Sequence, residues 1–143
     1  MVYLVLWKLI CMDKLSKKQR SENMSKIKAK NTIPEIVVRK YLYSKGLRYR
    51  IHQKKLPGNP DVVFYSRKKI IKVNGCFWHS HNCKAGSYIP KTNSSFWKNK
   101  LLDNKTRDKF NDRKLLEDYW EILTIWECQI KTKKDIDLID NFI

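Results

Sequence analysis

The apolar positions change period several times along the chain, and each change marks an element. From Asp13 to Asn31 the sequence is polar and basic, with Met24 and Ile27 three residues apart, which predicts a short helix ordered in part by a binding partner. Thr32-Ile33-Pro34-Glu35 has the form of a capping box, with proline in the first turn. Val37, Val38, Tyr41 and Leu42 then recur at helical spacing until Gly46 stops the helix. Tyr49 and Ile51 alternate with Arg50 and His52 as in a half-buried strand, which leaves His52 on the surface. Leu56-Pro57-Gly58-Asn59-Pro60 is a turn that neither element can continue. Asp61 to Tyr65 reads as a buried strand, Ser66-Arg67-Lys68 as its turn, and Lys69 to Val73 as a second strand. Ser94 or Ser95 can cap a long helix through roughly Tyr119, with Trp97, Leu101, Leu102, Phe110, Leu115 and Leu116 as its apolar positions. Glu121 to Trp126, EILTIW, is a further apolar strand, and Trp97, Trp120 and Trp126 are expected to fill the core. No internal repeat is present. The order helix, three strands, long helix, strand predicts an α/β domain with a mixed sheet flanked by helices.

Composition narrows the partner. The chain has 143 residues, enough for one domain with a real core. Lys and Arg number 31 against 14 Asp and Glu, a net charge of +17, and the positives run from Lys14 to Arg113 without forming one detachable tail. Interleaved with Tyr, Trp, Asn and Thr over a folded domain, they favour nucleic acid over a membrane, whose binders concentrate cations on one amphipathic helix. Met1 to Ile10 is too short for a secretory leader and carries Lys8, and no transmembrane span is expected, so the four cysteines point to the cell interior. We divide the chain into a basic arm, residues 1–31, and a catalytic domain, residues 32–143. Met12 offers a second possible start, which would leave residues 1–11 outside the protein and Cys11 a spare thiol.

The candidate chemistry gathers in NGCFWHSHNC, Asn74 to Cys83. Cys76, His81 and Cys83, with Cys128 beyond the last strand, would make a closed Cys3His zinc site of the structural kind. The competing reading treats Cys76 and Cys128 as small buried residues, but the polar loop SHNC has no apolar reason to collect a histidine and a cysteine. Pro60-Asp61 at the mouth of a hairpin suits a metal-dependent nuclease, although aspartate after proline is also common in turns. The usual acidic residue two before a lysine on the second strand is missing, and Lys72-Val73-Asn74 stands there. Glu35 reads either as the acidic half of a cap or as a functional carboxylate. A short hairpin can bring His79 to Asp61 as a general base. Of the adjacent pair Phe77-Trp78 at least one ring should be exposed, and in a basic protein that suggests a wedge between base pairs.

Together these residues resemble the very short patch repair endonucleases, bacterial enzymes that nick DNA beside T:G mismatches. The match is ordered from Arg20 to Cys128: RSENMSKIKAKNT, Glu35, LPGxPD at Leu56 to Asp61, GCFWHxHxC at Gly75 to Cys83, Phe96-Trp97, Asn104-x-x-Arg107-Asp108 and Trp126-Glu127-Cys128. The resemblance implies a restriction-endonuclease-like fold with a structural zinc, working as a monomer in the bacterial cytoplasm or nucleoid. Asp61 would hold a catalytic Mg2+ with the backbone carbonyl of Val73, His79 would be the general base, and Glu35 would steady waters at the metal or that histidine. Zn2+ would sit on Cys76, His81, Cys83 and Cys128. Met24, Phe77 and Trp78 would intercalate beside the mismatch, with Asn74, Lys100 and Asn104 as further DNA contacts. The implied substrate is duplex DNA with a T:G mismatch left by deamination of 5-methylcytosine, which links the enzyme to a DNA cytosine methyltransferase. One departure stands out: where the family has Thr-His before Gly-Cys, this chain has Val73-Asn74, and asparagine cannot take a proton. Two alternatives follow, a zinc-stabilised DNA binder that has lost cleavage and a restriction-type nuclease of matched duplex.

Overall fold

Val62, Val63 and Phe64 are buried on both sides and form strand β2, the centre of a hairpin that organises the fold. The computed structural model describes residues 15–132 and 137–143, so Cys11 and the expected start at Met12 lie outside the described residues. The elements are α1 (Lys17–Ser25), α2 (Ile33–Ser44), β1 (Arg50–Ile51), β2 (Val62–Phe64), β3 (Lys69–Asn74), α3 (Ser94–Glu117), β4 (Glu121–Trp126), α4 (Glu127–Thr132) and α5 (Asp137–Phe142). The four strands lie in the order β1-β2-β3-β4. β1 and β3 each pair antiparallel with β2, while β4 runs parallel to β3 from Lys69 opposite Glu121 to Asn74 opposite Trp126. A parallel neighbour needs a crossover, and α3 supplies it. This is the mixed sheet with flanking helices expected from the pattern.

The two faces of the sheet divide by the period of two. Val62, Phe64, Ile71, Val73 and Ile125 pack with Val38 and Leu42 of α2 and Ile139 of α5. Val63 and Ile70 on the opposite face meet Leu115 and Trp120 at the end of α3. Along β3 this second face turns polar, from Ile70 to Lys72 to Asn74, and the site begins where the core ends. The β2–β3 turn is a short 3-10 segment, Tyr65–Arg67, closed by Lys68 at φ 54.

Three expectations need correction. β1 spans only two residues, Ile51 is 41% exposed, and His52 lies inward, because its φ of 47 ends the alternation there. α3 is capped by Asn93 at φ 57, not by Ser94 or Ser95, since asparagine tolerates the left-handed turn that feeds the chain into the helix. Trp120 is buried, whereas Trp97 and Trp126 are only half-buried. α1 carries a full capping box between Ser16 and Gln19, but none of its residues is buried, and Met24 is 42% exposed. Among the described residues no helix is long and apolar enough to cross a membrane.

Candidate active site and metal centre

Asp61 stands just before β2, where its carboxylate covers the edge of the hairpin. Its Oδ2 accepts the Val73 N–H at 2.7 Å, a backbone group beyond the last β2–β3 pair. Burial, with the nearby charge of Glu35 adding to it, pushes the Asp61 carboxyl up to about 6, against the Val73 hydrogen bond and the cations Arg39 and Lys72. Glu35 is 4% exposed in the first turn of α2. It does not close the expected capping box: its carboxylate accepts from the Asn31 N–H and the Thr32 hydroxyl, each at 3.0 Å, and from Arg39 Nη2 at 2.7 Å. His52 completes the cluster, and donor atoms of Glu35, His52 and Asp61 lie within 4.8 Å of one another. A buried carboxylate, a half-buried one and an imidazole form a set that fits a divalent cation.

His79 takes a different partner. Its Nδ1 is hydrogen-bonded to Asp108 Oδ2 on α3, so His79 and Asp61 occupy two clusters, with Lys72 acting electrostatically on both Asp61 and Asp108. An open cavity of about 260 Å3 lies on this face, lined by Lys72, Asn74, His79, Lys105, Asp108 and Asp112 among others. Lys72 Nζ reaches Asp112 at 2.6 Å, and Asn74 is 7% exposed on the cavity floor. Asn104, expected at a DNA groove, donates to the Trp78 carbonyl at 3.1 Å, while Lys100 remains exposed. The sequence reading gave Asp108 no role of its own, yet the spacing held the signal. Asn104 and Asp108 are four apart on one helix face, and they hold the consecutive residues Trp78 and His79.

Cys76, His81, Cys83 and Cys128 bring their donor atoms within 4.8 Å of one another. His81 Nδ1 lies 3.7 Å from Cys76 Sγ and 3.4 Å from Cys128 Sγ, and its ring stacks on Trp126 at 4.2 Å. That stacking gives Trp126 its place outside the core. Burial pushes the Cys76 thiol up to about 12, whereas Cys83 is held below its ordinary value: burial opposes this, and the Gly86 N–H leads the hydrogen bonds that outweigh it. Three thiols and an imidazole in tetrahedral range fit zinc with no position left for substrate.

Phe77 and Trp78 are both half-buried and pack edge-on, with centroids 5.0 Å apart. Trp97 joins them at 5.5 and 6.0 Å, and Phe96, 58% exposed, lies 5.4 Å beyond it. Trp97 is therefore part of a partly exposed aromatic cluster instead of the core.

A family model described as "DNA mismatch endonuclease Vsr" matches residues 12–85. The chain is 41% identical over 118 residues to Type II nicking enzyme V.XorIIP of Xanthomonas oryzae pv. oryzae, covering 82% of this chain and 86% of that one. It is 40% identical over 121 residues to Type II nicking enzyme V.NmeAIP of Neisseria meningitidis, covering 85% and 86%. It is also 34% identical over 124 residues to DNA mismatch endonuclease Vsr of Escherichia coli, covering 87% and 79%. With the ordered motifs and the clusters they build, these matches show that the chain belongs to the Vsr DNA mismatch endonuclease family and is a nuclease.

Proposed function

We propose that this protein nicks one strand of duplex DNA beside a T:G mismatch, using Mg2+ at Asp61 and a structural Zn2+ at Cys76, His81, Cys83 and Cys128. The observation that carries the reading is the half-buried Asp61 carboxylate, fixed by the Val73 N–H at the mouth of the hairpin and grouped with the buried Glu35. Relatives named as nicking enzymes support cleavage of one strand, and the relative named as a mismatch endonuclease supports the substrate. The four-stranded mixed sheet with flanking helices is in keeping with a restriction-endonuclease-like fold.

The ion would be held by Asp61 and the Val73 carbonyl, with Glu35 beside it, and would supply charge neutralisation at the phosphate and a more acidic water. The chain's own residues divide the remaining work. His79 takes the proton of the attacking water at the nitrogen opposite Asp108, whose bond to Nδ1 fixes the ring's orientation. Lys72, Lys105 and Lys109 make the cavity attractive to phosphate. Asn74 on its floor keeps a hydrogen-bonding side chain where an imidazole would also take a proton. Phe77, Trp78, Met24 and the neighbouring Trp97 supply rings and a flexible apolar chain for insertion beside a weakened base pair. Zinc pins the loop that carries His79. We further propose a monomer working in the bacterial cytoplasm on lesions left by a DNA cytosine methyltransferase. The test is incubation with Mg2+ and end-labelled duplexes that differ in one pair, T:G or C:G. Nicking of the T:G duplex alone is expected. Cleavage of the matched duplex would make this a restriction-type nuclease, and binding without nicking would make it a DNA-binding protein.

A further inference from the structure

His52 lies in the Asp61 cluster for a reason that the Mg2+ reading alone does not supply. Its Nε2 is 2.9 Å from Arg39 Nη2, the same nitrogen that donates to Glu35 Oε2 at 2.7 Å. Arginine does not deprotonate, so Arg39 is the donor to both, and His52 Nε2, which also lies 3.4 Å from Asn31 Oδ1, presents its lone pair to Arg39. The imidazole nitrogen and the carboxylate oxygen are 3.6 Å apart and converge on one cationic nitrogen. Two donors about 2.1 Å from a single octahedral ion stand about 3 Å apart at right angles, so a small contraction would give both atoms an ion to share. Asp61 is within the same 4.8 Å group. The Arg39 Nε–H is buried without a partner while Nη1 stays tied to Asn31 Oδ1 at 2.7 Å, so the guanidinium is held by its outer edge and meets the cluster through Nη2.

We propose that His52 is a third donor, with Glu35 and Asp61, of a divalent-cation site, and that the nitrogen donor tilts the site toward Mn2+ over Mg2+. The inference rests on Asp61 being the anchor of the catalytic ion. Magnesium is a hard ion that keeps oxygen ligands and its waters, whereas first-row transition ions accept imidazole, and Mn2+ accepts oxygen and nitrogen together. A carboxylate pair alone would leave the choice to ion availability. A carboxylate pair with an imidazole lone pair beside it changes it.

The experiment is a Mn2+ titration of the full-length, zinc-loaded protein, followed by the electron paramagnetic resonance signal of the free ion, with Mg2+ as competitor and a pulsed measurement of nitrogen coupling to the bound ion. The wild-type protein should bind Mn2+ at least about tenfold more tightly than Mg2+ and show coupling to a directly bound imidazole nitrogen. His52→Gln should remove that coupling, weaken Mn2+ roughly tenfold and change Mg2+ less than about twofold. The wild-type spectrum needs no variant, so a poorly folding mutant leaves the test intact. Bound Mn2+ without nitrogen coupling, or coupling that persists in His52→Gln, would overturn the assignment of His52. Asp61→Asn is the separate control: if it binds both ions as wild type does, the error lies in the placement of the catalytic ion at Asp61.

Discussion

Asp108 is pulled two ways. Burial alone would push its carboxyl up, but the hydrogen bond and charge of His79, helped by Lys72 and Arg107, bring it below its ordinary value. A lowered carboxylate contributes stability that is complete above the unfolded value and is lost as pH falls through the folded one. Asp108→Asn should therefore cost about 1–3 kcal/mol near neutrality, and the gap to wild type should close below about pH 4, read by equilibrium unfolding across that range. Because the same carboxylate orients the proposed general base, the substitution should also slow nicking by roughly 100-fold while DNA affinity changes little. Asp61→Asn should abolish nicking and leave mismatch binding within a few fold, since in the proposed role its carboxylate serves the ion more than the DNA; single-turnover cleavage and a binding titration separate the two. At this scale the sequence was legible in its groupings, Cys76 with His81, Cys83 and Cys128, and Asp61 with Glu35. It was illegible at His52, because alternation assigned the ring outward and a single positive φ reversed it.

The elements around Gly75 to Cys83 carry the next prediction. A Cβ on Gly86 would lie 2.0 Å from the His81 carbonyl oxygen and 2.6 Å from its amide nitrogen, both rigid backbone atoms. Gly86→Ala should thus spread the proposed ligands as effectively as Cys83→Ser removes one. Both proteins should fall well short of one zinc per chain by elemental analysis and melt lower, because structural zinc contributes directly to folding free energy. Full stability in excess chelator would return the cysteines to the role of small core residues. The aromatic cluster makes a different demand. Replacing Phe77 and Trp78 by alanine should weaken binding to T:G duplex by roughly 1–3 kcal/mol per lost stack, and Trp97→Ala should follow them because its ring supports both. An equal loss on T:G and C:G duplexes with a large fall in Tm would show a core function instead. Apolar runs marked β2, β3 and β4 and periodicity marked the long helix, whereas the alternation around β1 misled. Periodicity misplaced Trp97 and Trp126, since hydrophobic pattern does not distinguish a ring that packs in the core from one that stacks on His81 or joins a partly exposed aromatic cluster.

Over the whole molecule the net charge of +17 sets the salt dependence. Phosphate contacts release counterions whatever the base pair, so log Kd against log salt should give parallel lines for T:G and C:G duplexes. The vertical gap measures recognition, and only the aromatic substitutions should narrow it; lines that converge with salt would mean that charge itself reads the mismatch. The architecture also orders events in time. Cys76, His81 and Cys83 are neighbours in the chain, and the β2–β3 hairpin beside them closes locally, but Cys128 arrives only after α3 has crossed and β4 has docked. Loop closure over that distance must precede the reward of the parallel ladder, which makes β4 docking the slow contact. A newly made chain binding the proposed zinc would therefore hold it with three donors first, and the fourth would lock the crossover as it completes the sheet. Refolding should then show a fast hairpin phase indifferent to zinc and a slow phase that zinc accelerates, so that a nuclease whose last strand is misplaced would also be one whose metal is not yet secured.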